Sequence, residues 1–73
     1  MYKEKSIFIG QTVRVIQLLS NHSAEINSKL GRYGIIRGLK FTNTESIIII
    51  VEFIEHTRIW FFKEELCPIS IDH

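Results

Sequence analysis

Four stretches of the chain alternate between apolar and polar positions closely enough to predict strands, and the turns between them are marked by glycine, threonine, asparagine and histidine. Residues 7–17 alternate with Val13 and Val15 on one face and Thr12 and Arg14 on the other. A turn or bulge at Gly10-Gln11 precedes the regular part. Residues 33–41 form a second strand with Ile36 inward between Gly34 and Gly38, where missing side chains permit close backbone approach and sharp bending. After a Thr42-Asn43-Thr44-Glu45 turn, residues 47–53 place Ile47, Ile49, Val51 and Phe53 on one face and Ile48, Ile50 and Glu52 on the other. Both faces of this strand are mostly apolar, so the outer one is either covered by a loop or left as an adhesive patch.

A His56-Thr57 turn leads to a fourth strand over residues 58–62, in which Ile59 and Phe61 oppose Trp60 and Phe62. Residues 63–66 read as a single helical turn, in which Glu64-Glu65 are expected to be solvated. A closing strand over residues 67–71 contains Pro68, tolerable on an edge. Residues 18–30 break the alternation. Ala24, Ile26 and Leu30 recur at near-helical spacing among Ser and Asn, which predicts a long loop carrying one or two helical turns, capped by Asn21 or Ser23 and stopped at Gly31. Five short strands with one long early loop is the order of an all-β, SH3-like five-stranded barrel, whose closure would remove exposed sheet edges.

The 73 residues are expected to form one domain, with residues 1–6 a flexible charged lead-in. At this size a core and a substrate chamber compete for the same side chains, and stability is marginal or depends on a partner. The chain is 45% hydrophobic and 23% charged, as in ordinary globular proteins. Its formal charge of +1 is spread over interspersed Arg14, Lys29, Arg37 and Arg58 and Glu25, Glu45, Glu52 and Glu55, unlike the one-sided basic stripe of a nucleic-acid binder. Cys67 is the single cysteine, which excludes an internal disulfide and fits a small, partly buried apolar role. The longest wholly apolar run, residues 47–51, is far short of the roughly 20 residues that span a bilayer, so membrane association is expected to be peripheral. Met1-Tyr2-Lys3-Glu4-Lys5-Ser6 has the character of neither a secretory nor a transit segment, which implies use in the compartment of synthesis. Isoleucine is the favoured aliphatic residue and Ala24 the single alanine, a skew that AT-rich organellar coding produces.

Three blocks carry a family resemblance: residues 10–15 (Gly-Gln-Thr-Val-Arg-Val), residues 29–38 (Lys-Leu-Gly-Arg-Tyr-Gly-Ile-Ile-Arg-Gly) and residues 60–66 (Trp-Phe-Phe-Lys-Glu-Glu-Leu). In this order and spacing the chain resembles the PetP family, small extrinsic subunits of the cytochrome b6f complex of cyanobacteria and red-algal plastids. The Asn43-Thr44-Glu45 turn and residues 47–50 are less Gly-rich and more apolar than expected of cyanobacterial members, and Cys67-Pro68-Ile69 is unusual for the family. The resemblance implies an SH3-like fold, no enzymatic activity and no cofactor. It further implies peripheral attachment to the stromal or cytoplasmic face of that complex at the thylakoid membrane, where electron flow is modulated. A plastid-encoded origin suits the isoleucine-rich composition.

Candidate chemistry is sparse. Arg32, Tyr33, Lys40, Trp60 and Phe62 are the candidate partner-binding residues, a basic and aromatic set like those with which SH3-like domains hold peptides; the competing reading places Trp60 and one phenylalanine in the core. The glycines of residues 31–38 also resemble the KOW pattern of RNA- and ribosome-associated barrels, an alternative that predicts salt-sensitive RNA affinity. An SH3-like adaptor for another soluble protein is the second alternative. His22, His56, Cys67 and His73 lack zinc-site spacing, Glu64-Glu65 lacks an evident acid–base partner, and no phosphate-loop fingerprint occurs.

Overall fold

The computed structural model describes residues 7–19 and 24–69. Five strands form one antiparallel sheet in the order β4-β3-β2-β1-β5: β1 (Thr12–Val15), β2 (Tyr33–Phe41), β3 (Ile47–Glu52), β4 (Arg58–Phe62) and β5 (Leu66–Pro68). A short helix, α1 (Ala24–Asn27), lies between β1 and β2, and a 3-10 turn (Lys63–Glu65) joins β4 to β5. The SH3-like β architecture expected from the alternation is the one found. Hydrogen bonding does not close the ring, however: β4 and β5 are the two edges of the ladder, bridged by the chain through the 3-10 turn.

The core follows from the parity of the strands. Val13 and Val15 of β1, Ile36 of β2, Ile49 and Val51 of β3, Phe53, Phe61 of β4 and Leu66 of β5 are buried together. Phe53 and Phe61 meet edge to face at 6.1 Å. Trp60 and Phe62 point the other way. The aromatic core is thus supplied by Phe53 and Phe61, and Trp60 remains 48% exposed.

Gly34 sits where no side chain fits. It pairs with Val13 on the inward face, and a Cβ there would run into Val51 Cγ1, with Glu52 O at 3.0 Å and Phe53 Cδ1 at 3.3 Å. Two residues later the β2–β3 register slips between Ile36 and Gly38, inserting Arg37 as an extra residue. Such a bulge re-aims a side chain, and here it turns Arg37 outward onto Glu52.

Several boundaries differ from those the pattern predicts, each for a local reason. The alternation over residues 7–17 shrinks to Thr12–Val15 because Gly10, at φ 94°, turns the chain, with Gln11 N–H donating to Phe8 O at 3.2 Å. The third strand ends at Glu52 rather than 53, since Phe53 N–H donates to Thr57 O and opens the turn. α1 is one turn and ends before Gly31: the Ser28 N–H still reaches Ala24 O, but Lys29 and Leu30 bond three residues back, tightening the chain into turns. The proposed cap at Asn21 or Ser23 lies outside the described residues, as do residues 1–6, 70 and 71. The turns expected at residues 42–45 and 56–57 are found but are wider, closing between Thr42 and Ser46 and between Phe53 and Thr57, with Glu45 and His56 at positive φ.

Glu65 corrects the sequence reading most directly. Expected to be solvated beside Glu64, it is 1% exposed. Its Oε1 accepts the Phe62 N–H at 2.8 Å and its Oε2 the Leu19 N–H at 3.0 Å, so the carboxylate caps the 3-10 turn and holds the segment leaving β1. Ile16 N–H donating to Glu65 O and Gln17 Nε2 donating to Glu64 O complete this seam. Lys29, one of the scattered cations, is likewise buried. Its ammonium pairs with Glu55 and lies 5.4 Å from the Phe53 ring centroid, fastening the loop after α1 to the turn after β3.

Candidate functional site

The outward face of the sheet carries the candidate residues, and strand register divides them. At one end, Ile48 lies between Lys40 of β2 and Phe62 of β4, and Ile50 lies between Gly38 and Trp60. Ile48, Ile50 and Phe62 are half-buried, and Trp60 packs edge to face on Phe62 at 5.4 Å. These side chains form a continuous apolar surface bordered by the exposed Lys40. Of the described loop residues, Leu18 and Ile26 pack against the core.

Arg32 and Tyr33 lie at the opposite end of β2. Tyr33 is 56% exposed, pairs with Arg14 of β1, and carries the Arg14 guanidinium 5.6 Å from its ring centroid. Arg32 bonds Glu55 through Nη2 at 3.2 Å, sharing that carboxylate with Lys29. The structure therefore groups Lys40, Trp60 and Phe62 in one patch and sets Arg32 and Tyr33 apart.

Between the two ends stands a charged cluster that the sequence reading did not single out. Glu52 Oε1 receives Arg37 Nε at 3.1 Å and Arg58 Nε at 3.3 Å, while its Oε2 lies 3.0 Å from His56 Nδ1. Arg37 and Glu52 are fifteen residues apart and meet only through the bulge; Arg58 and Glu52 meet as register partners. The His56 hydrogen bond first, and then the two guanidinium groups, hold the Glu52 carboxyl below its ordinary value of 4.5. Lys29 chiefly does the same for Glu55. Beside the cluster runs an open groove of about 390 Å³ whose walls include Tyr33, Ile35, Phe53 and Ile54. Ile54 is 86% exposed.

For chemistry the face offers cations, aromatic rings and apolar area, which suit association. Among the described residues no group of three His, Cys, Asp or Glu side chains is arranged to hold a metal ion, and no helix is long and apolar enough to cross a membrane.

Known proteins share this frame. Residues 9–67 match the family described as cytochrome b6f, subunit Tsr0524-like. The uncharacterized protein ORF65 of the red alga Porphyra purpurea is 47% identical over 60 residues, spanning 82% of this chain and 92% of that protein. The solution structure of the cyanobacterial cytochrome b6f complex subunit PetP superposes with a TM-score of 0.79 at 33% identity, over 88% of this chain and 81% of that one. The three blocks that carry the resemblance fall on β1, on the entry into β2 with its bulge, and on β4 with the Glu65 cap. The chain belongs to the Tsr0524-like family of cytochrome b6f subunits.

Proposed function

We propose that the chain is a noncatalytic peripheral subunit of the cytochrome b6f complex, docking on its stromal or cytoplasmic face at the thylakoid membrane and modulating photosynthetic electron transport. Family membership supports the partner, and the red-algal relative supports a plastid setting. The observation that carries the mode of action is the outward apolar surface of Ile48, Ile50, Trp60 and Phe62 beside Lys40. A Trp and a Phe held outside a core this small have given up burial worth having, which is the mark of surfaces that are covered by a partner. Tyr33 extends the same face toward its other end, and Arg32 lies just before it, paired with Glu55. Function is association: the subunit alters how the complex assembles or which soluble partners reach it.

Fractionating thylakoids in mild detergent tests this reading. The chain should comigrate with the complex and be released by a salt wash. Resistance to both salt and carbonate, or migration with a different complex, refutes it.

A further inference from the structure

We propose that the central Arg37–Glu52–Arg58 cluster is an anion-selective recognition point, and that the outward face takes an extended acidic segment of a partner protein with an apolar residue on either side of its carboxylate. The proposal rests on the reading of the chain as a docking subunit and names what it docks to in chemical terms.

Charge is the first argument. The outward face of the strands presents Arg14, Arg37, Arg58 and Lys40 against a single carboxylate, Glu52, so its local balance is strongly positive although the whole chain carries only +1. Geometry is the second. Arg37 and Arg58 both face the same Glu52 oxygen through Nε, which brings the two guanidinium groups together on one carboxylate. Among the described residues their Nη groups bond to nothing, leaving two prepared forks for an incoming carboxylate. Glu52 thus orients the pair without neutralising it.

Spacing is the third argument, and it identifies the occupant as polypeptide. Along β3 the face runs from the Glu52 row, with Arg58 and Ile35 as register partners and Arg37 beside it on the bulge, to the apolar row of Ile50 and Trp60; on the other side of Glu52 the groove wall carries Tyr33 and the turn residue Ile54. Successive same-face rows lie about 6.6 Å apart, as do residues i, i+2 and i+4 of an extended chain. An acidic residue at the Arg37–Arg58 pair with an apolar residue two positions away matches the step to the Ile50–Trp60 row, and the Tyr33–Ile54 groove wall receives the apolar residue on the other side. Gly38, paired with Ile50, adds no side chain to the Ile50–Trp60 row and leaves it open. A lipid surface has no such period.

The test uses the full chain labelled with nitrogen-15 and a capped peptide containing Leu-Thr-Glu-Thr-Leu, with Gln and Lys replacements of its central Glu. Amide shifts should map to Tyr33, Arg37, Ile54 and Arg58 and to the Trp60 indole. The Gln peptide should bind about fivefold more weakly, the scale of exposed ion pairs, and the Lys peptide more weakly still. Arg37→Gln/Arg58→Gln should lose the Glu preference while keeping a dispersed spectrum. Equal binding of the Glu and Gln peptides, or shifts confined to other surfaces, overturns the proposal. So does retention on phosphatidylglycerol vesicles, relative to phosphatidylcholine, that the double substitution abolishes, because the face would then be a lipid site. With purified cytochrome b6f complex, wild-type binding weakened by the double substitution supports the proposal; undiminished binding of the variant overturns it while leaving the docking reading intact. Failure of the wild-type chain to bind the complex removes the docking reading, and the peptide comparison alone then decides the proposal.

Discussion

Replacing Gly34 with alanine probes the most crowded of the four glycine positions. The added methyl would enter the space of Val51 Cγ1, and the nearest alternatives, Glu52 O at 3.0 Å and Phe53 Cδ1 at 3.3 Å, leave no direction of escape. Val51 cannot yield by rotation: it is fully buried, and a β-branched side chain has few χ1 wells. The sheet must therefore open between β2 and β3. Overpacking of this kind costs typically 1–3 kcal/mol, and with backbone as one of the obstacles the expected loss is about 3 kcal/mol. For a domain of this size that lowers Tm by roughly 12–24 °C. Gly38→Ala is the control. Its methyl would meet Ile50 at 3.4–3.5 Å, ordinary contact, so it should be neutral or stabilise by about 0.4–1 kcal/mol by restricting the unfolded chain. Removing the obstruction completes the cycle: Gly34→Ala with Val51→Ala should cost about 1–2 kcal/mol less than the sum of the single changes. Thermal and urea unfolding followed by circular dichroism measure the wild type and all four variants. A Gly34→Ala variant as stable as Gly38→Ala, or strict additivity with Val51→Ala, refutes the steric account.

Three further outcomes are expected. Glu65→Ala removes the acceptor of the Phe62 and Leu19 N–H groups in a partly buried seam and should destabilise by about 1–2 kcal/mol, with amide exchange accelerating first at Leu19; exchange unchanged there would contradict the capping role. The Glu52 carboxyl is held below 4.5 in the folded state, so its contribution is fully present above that pH and is lost as pH falls through the folded value. Wild type should thus be more stable than Glu52→Gln at pH 7, with the gap in urea midpoint closing as pH falls below 4.5; a constant gap would be inconsistent. Trp60→Ala should weaken binding to the cytochrome b6f complex more than it changes stability, since the ring is half outside the core; equal binding with a large stability loss would assign it a packing role instead.

Strands were legible where alternation and a glycine or turn signal coincided. β2 and β4 begin and end where the pattern predicts, and the inward residues Val13, Val15, Ile36, Ile49, Val51 and Phe53 are those parity selects. The site was legible in part. Trp60 and Phe62 could be assigned to one face of β4, but whether that face was core or surface depended on which side the sheet curls toward. The cluster on Glu52 was out of reach because it needs both the β3–β4 register and a one-residue slip in β2, and neither is written in local composition. Buried Glu65 and Lys29 escaped for a related reason. A charged residue goes inside only when distant backbone or side-chain partners await it, and those partners lie 46 and 26 residues away.

The position of β1, flanked by β2 on one side and β5 on the other, bears on how the protein comes into being. The β2–β3–β4 meander can assemble from neighbours in sequence, but β1 gains its second partner only after the last strand has been synthesised. Until then the strand carrying Val13 and Val15 is an open template for foreign chains. Completion of the fold thus waits for β5 to become available, and its docking on β1 is expected to set the rate at which a usable subunit appears.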